Sequence, residues 1–141
     1  MRSQKGITLI ELLLVISIVA ILGASTSPFL SNFVLQTNFD TTLDKVVSSV
    51  RKAQSNAMNK KNDSVWGVCL SGTNIRLYSG SCVSPLVKED FDIPNSVDVS
   101  NLTDTTFNLR GEPSVVLNIT VATSQENSTV NVNRAGGVNV N

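Results

Sequence analysis

The 141-residue chain has no histidine, only two cysteines and no excess of either charge, since eleven Lys and Arg balance eleven Asp and Glu. Without histidine there is no Ser-His or Cys-His pair for nucleophilic catalysis. Two isolated thiols are too few for a structural zinc. There is no Walker loop and no Gly-x-Gly-x-x-Gly cluster to hold a phosphate. Glu89, Asp90 and Asp92 do cluster, but an acidic run of this kind reads as a solvated loop face. The chain is therefore expected to be no enzyme and to need neither cofactor nor metal.

Neutrality also bears on nucleic acid. Arg51, Lys52, Lys60 and Lys61 gather where a helix is expected to end. A phosphate-tracking surface shows a stronger basic excess, and cations near a helix C-terminus are favoured by its dipole. Nucleic acid is not an expected partner. Four Asn-x-Ser/Thr sequons, at Asn62, Asn101, Asn118 and Asn127, are read as products of an Asn- and Thr-rich composition.

Charge is scarcest near the start. Residues 7–24 carry one charged group, Glu11, in eighteen residues. As a helix this run is about 27 Å long, roughly the bilayer hydrocarbon core. Arg2 and Lys5 precede it and no basic residue follows until Lys45. The positive-inside rule then places the N-terminus in the cytoplasm and the rest outside. A carboxylate in the middle of a membrane helix costs roughly 2.5–3.5 kcal/mol, so Glu11 asks for a reason. An ordinary secretory signal fits less well, because the apolar run exceeds about 7–15 residues and Glu11 interrupts it.

Pro28, with Gly23, Ser25, Thr26 and Ser27 nearby, predicts a kink or break near residues 24–28. Beyond it Phe39, Leu43, Val46, Val50, Ala53 or Gln54, and Ala57 recur at helical spacing. They form one apolar stripe that reads as domain core. Asn59, Lys60, Lys61 and Asn62 mark its end. The sketch is one long helix from Ile7 to about Asn59.

After Asn62 the period changes to two. "SVWGVCL" and "NIRLYS" read as a hairpin turning at Ser71-Gly72-Thr73. "TTFNLR", "SVVLNITVA" and "STVNVN" alternate apolar and polar residues as half-buried antiparallel strands do. Residues 84–104 read as an acidic surface loop with one short strand. Some 110 extramembrane residues allow one small domain, in which a sheet packs on the helix stripe. Cys69 and Cys82 lie on the exported side, where a disulfide persists and contributes roughly 3 kcal/mol for a loop of this size. Two reduced buried thiols are the alternative.

"KGITLIELLLVISIVAILG" resembles the class III signal of type IV pilins and pseudopilins. The resemblance is close over residues 5–30. It implies a leader of residues 1–6, cut by prepilin peptidase between Gly6 and Ile7, with methylation of the new Ile7 amine. It makes Glu11 the acid that neutralises the N-terminal amine of an adjoining subunit, an assembly device. Glu11 could also pair with its own amine, four residues back on one helix face. Pro28 stands where the family often has a proline.

The second half is similar to GspH/FimT-like minor pseudopilins, through "FNLRGEP", "VVLNITVA" and "STVNVNRAGGVNV". The family implies an α+β, pilin-like fold. Its parts are a leader (1–6), a transmembrane and assembly helix (7–28), an amphipathic helix half (29–62) and an antiparallel β domain (63–141). It implies a minor subunit of a type II secretion or type IV pilus filament. The precursor would span the inner membrane once, in contact with lipid, with its C-terminal domain periplasmic or extracellular. Other pilin subunits, the peptidase and the inner-membrane assembly platform would be its partners. A DNA-uptake minor pilin and a major pilin are the alternatives. Arg134 alone is basic in the tail, and Cys82 lies far from the chain end.

Overall fold

A computed structural model describes residues 7–141, without the side chains of residues 24–29. The chain divides into two units, Met1–Val34 and Leu35–Asn141. One helix, α1 (Leu9–Met58), supplies the described part of the first unit and then the first element of the second. It is assigned as a single element through Pro28.

α1 begins at a capping arrangement. Thr8 Oγ1 accepts from the Glu11 backbone N–H at 3.3 Å, and the Leu12 N–H donates to the Thr8 carbonyl at 3.2 Å. Thr8 and Glu11 are spaced as the Thr-x-x-Glu of a helix start, and the Glu11 carboxylate sits at the positive end of the helix dipole. At the other end Asn59 and Lys60 close the last turn onto Ser55 and Ala57. Lys60 then turns left-handed, with φ 47°, and a 3-10 turn (Lys61–Asp63) follows.

In the second unit α1 packs on a small antiparallel β domain, an α+β fold. The buried face of α1 is Phe39, Thr42, Val46, Ser49, Val50, Ala53, Gln54 and Ala57. The apolar members match the expected stripe, and both Ala53 and Gln54 are inside. Leu43 is only half-buried and packs against the rim of the core. Thr42 and Ser49 are buried although polar. Each hydroxyl donates to the carbonyl one turn back, Asn38 O at 2.8 Å and Lys45 O at 2.6 Å. A hydroxyl satisfied within its own helix no longer needs water.

The strands form two sheets of four, not one. β1 (Trp66–Ser71), β2 (Asn74–Ser79), β3 (Val87–Asp92) and β5 (Thr105–Phe107) make the first, in the order β3-β2-β1-β5. β4 (Asp98–Ser100), β6 (Leu117–Ala122), β7 (Asn127–Val132) and β8 (Val138–Val140) make the second, in the order β4-β6-β7-β8. β1 and β2 pair from Trp66↔Ser79 to Ser71↔Asn74, and Gly72 takes the positive φ (62°) that the tight turn requires. Val68, Ile75 and Leu77 of the first sheet join Ile119, Val121, Val130 and Val132 of the second and the helix stripe in one apolar cluster.

Residues 84–104 differ from expectation. They hold two strands, and the charged "VKEDFD" pairs residue for residue with β2. Alternation of charge with apolar groups is weak there, so the run reads as loop. Asp90 is matched instead by Arg76 across the strand pair, and Glu89 by Lys52 of α1. "TTFNLR" also ends early, at Phe107. Asn108 Oδ1 accepts from the Arg110 and Glu112 backbone N–H groups and bends the chain into a turn.

Cys69 and Cys82 are joined as a disulfide with a Cα–Cα distance of 6.3 Å. The bridge ties β1 to the loop between β2 and β3. Arg76 of β2 braces the same loop, donating to the Cys82 carbonyl at 3.2 Å.

Candidate functional site

The residues singled out near the start lie on one helix end. Gly6, with Arg2 and Lys5, lies outside the described residues. Ile7 is 75% exposed, and Glu11 is exposed one helical turn further on. The side chains around Glu11 are apolar on every face of the helix: Leu9, Ile10, Leu12, Leu13, Leu14 and Val15 are each more than half exposed. Ser17 turns its hydroxyl inward to the Leu13 carbonyl at 2.8 Å, so it presents little polarity of its own. A helix apolar all round belongs in lipid or among other apolar helices. Among the described residues no helix is long and apolar enough to cross a membrane. The proposed span runs on to Pro28, whose side chain is outside the description.

The cap at Thr8 holds the first turn of α1 closed. The Thr-x-x-Glu spacing of this cap is legible in the sequence.

The basic group at the end of α1 is dispersed. Lys52 pairs with Glu89 of β3. Lys61 lies over the Trp66 ring, with its ammonium 5.6 Å from the centroid. Arg51 and Lys60 are exposed.

The acidic cluster is divided among partners on β2 and α1. Asp90 accepts two bonds from Arg76, which stands directly opposite on β2: Nε to Oδ1 at 2.7 Å and Nη2 to Oδ2 at 3.1 Å. The hydrogen bond with Arg76 holds the Asp90 carboxyl below its usual range. Lys88 approaches Asp90 at 3.4 Å. Lys45 of α1 donates to the Asp92 carbonyl at 2.8 Å. Glu89 and Asp92 thus anchor the outer strand to the helix.

Among the described residues no group of three His, Cys, Asp or Glu stands close enough to hold a metal. The hollows are shallow. One of about 290 Å³ lies beside Val65, Phe107 and Leu109, and a wider one of about 560 Å³ lies beside Val115, Val116 and Arg134.

Gln54 was missed as a structural centre. Its Nε2 donates to the Gly111 carbonyl at 3.0 Å and to the Gly136 carbonyl at 2.8 Å. Both glycines have positive φ, 77° and 82°, and the two turns touch. A Cβ on Gly136 would lie 2.4 Å from the Gly111 oxygen. The glycines of "FNLRGEP" and of the last turn therefore meet on the same glutamine. No curated protein and no solved structure gives a significant match to this chain. Residues 1–27 match the family model of the prokaryotic N-terminal methylation motif.

Proposed function

We propose that this chain is a structural filament subunit of the type IV pilin and pseudopilin class, without chemistry of its own. It is made as a membrane-held precursor, cut by prepilin peptidase between Gly6 and Ile7, methylated on the Ile7 amine, and assembled with other pilin-like subunits. The observation that carries this reading is the methylation motif over residues 1–27, at the start of a helix where Glu11 stands amid exposed apolar side chains. An unpaired charge in an apolar core is unstable, and an opposite charge beside it relieves the cost. Glu11 then penalises the lone subunit and rewards the packed one.

The similarity of the second half to GspH/FimT-like proteins favours a minor pseudopilin of a type II secretion machine or a related pilus. The contact of the Gly111 and Gly136 turns on Gln54 gives that pattern a physical basis, because a side chain at Gly136 has no room.

Mass spectrometry of the mature N-terminus tests the assignment. The expected chain begins at Ile7 with one added methyl group. A start near Ser25 or Thr26 would overturn it in favour of an ordinary secretory signal.

A further inference from the structure

The two sheets of the Leu35–Asn141 unit finish at a common end. In the first sheet Trp66 pairs with both Ser79 and Phe107, and Ser79 pairs with Val87, so the loops 80–86 and 108–113 leave from one row. In the second, Leu117 pairs with Val132 and Val132 with Val138, so residues 114–116 and the turn 133–137 leave from another. Gly136 lies against the Gly111 carbonyl and joins the two rows. Gln54 and Met58 bring the end of α1 to the same place.

Two kinds of side chain collect there. Val65, Val83, Leu86, Leu109, Val115 and Val116 are exposed apolar groups. Lys60, Lys88, Arg110 and Arg134 are exposed cations among them. Lys60 shares a hollow with Val65 and Leu109, and Arg134 shares one with Val115 and Val116. The carboxylates of this end are Asp63 and Glu112, and Glu112 accepts from Asn108 Nδ2 at 2.7 Å. Asp92, Asp98 and Glu126 lie at the opposite ends of their strands.

Val83 and Leu86 protrude most, at 91% and 77% exposure. Their loop is held by the disulfide, by Arg76 on the Cys82 carbonyl, and by the Leu86 N–H on the Ser79 carbonyl at 2.9 Å. A protruding apolar loop with so fixed a backbone loses little entropy on docking.

We propose that this end of the domain docks on a bilayer surface carrying anionic phospholipid headgroups. Val83, Leu86 and Leu109 enter the interface, and Lys60, Lys88, Arg110 and Arg134 face the phosphates. Apolar side chains that protrude among cations fit such a surface, where acyl chains lie directly beneath negative headgroups. A duplex nucleic acid would match the cations but leave Val83 and Leu86 in water. The acids at the opposite end are repelled by the same surface, so charge fixes which end faces it. The inference stands on the Leu35–Asn141 unit and is independent of how the N-terminus is processed.

The test uses the full chain in lipid nanodiscs, one chain to a disc, made of phosphatidylcholine alone or with phosphatidylglycerol added. A photoactivatable benzophenone side chain replaces Leu86 or Leu109 at the docking end, or Leu70 or Val140 at the other end of their strands as controls. Mass spectrometry reads the lipid adducts formed on irradiation. Adducts at the Leu86 and Leu109 positions are expected to be about tenfold more abundant with phosphatidylglycerol than without it. They should fall back in about 1 M salt, where the screening length is about 3 Å. The Leu70 and Val140 positions should give few in either lipid. The variant Lys60→Glu, Arg110→Glu, Arg134→Glu should lose the adducts that depend on phosphatidylglycerol and keep the wild-type melting curve. Equal adducts in the two lipids, controls that label as heavily as the docking end, or adducts that pass from lipid to a duplex DNA added to the discs would overturn the proposal. The comparison of lipids and positions without the charge changes decides the matter even if that variant fails to fold.

Discussion

Gly67 and Tyr78 stand opposite each other on β1 and β2, and the phenol of Tyr78 occupies the space a side chain at Gly67 would need. A Cβ there would lie 2.6 Å from the Tyr78 oxygen and 2.7 Å from the Thr105 carbonyl. The tyrosine is buried, and its hydroxyl donates to the Asp104 carboxylate. Gly67→Ala is expected to force the ring aside and destabilise the domain by about 1–3 kcal/mol, as overpacking does. Thermal melting of the variant beside wild type checks this. An unchanged melting temperature would mean the ring moves freely.

Tyr78 is the one tyrosine in the chain. Burial, and then its hydrogen bond to Asp104, raise its pKa well above the ordinary value of 10.0. The sign follows from linkage. The folded state keeps the phenol protonated after the unfolded state has lost its proton. The stabilisation is therefore fully present below pH about 10 and is lost as pH rises beyond it. Tyrosinate absorbance should appear only as the domain unfolds at high pH. Tyr78→Phe should lower stability at neutral pH by about 1 kcal/mol through the lost hydrogen bond, and its alkaline decline should be shallower. Tyrosinate forming in the folded wild-type protein would contradict this account.

Gln54 clamps two turns with one amide. Gln54→Met keeps the volume but leaves the Gly111 and Gly136 carbonyls without their shared donor, at a cost of about 1–3 kcal/mol. Gln54→Glu is the sharper probe. Above the carboxyl pKa it would point negative oxygens at two carbonyls, and below it one O–H donor returns. Urea unfolding should show the Glu variant recovering, relative to the Met variant, as pH falls. Parallel pH profiles for the two variants would remove Gln54 from this role.

Glu11→Leu separates assembly from folding. The helix becomes more apolar, so membrane insertion should persist or improve. Cutting after Gly6 should continue, because that position is untouched. The β domain should keep its melting temperature, because residue 11 belongs to the other unit. Co-purification with sheared filaments or with partner subunits is where the loss is expected. Normal incorporation beside wild type would leave Glu11 as a surface charge and helix cap.

The sequence by itself determined the helix stripe and most strands. Phe39, Val46, Val50, Ala53 and Ala57 recur at the spacing of a single helix face, and which residues share that face is fixed by local helix geometry. The same holds for β6, whose alternation of buried and open residues is visible letter by letter. The strand "VKEDFD" was not legible, because what makes it a strand lies elsewhere in the chain. Arg76 stands opposite Asp90, and Lys52 reaches Glu89 from 37 residues away. Pairing of this kind neutralises charge without leaving a period in the sequence. The division into two sheets, the meeting of Gly111 with Gly136 and the bracket at Gln54 are non-local in the same sense.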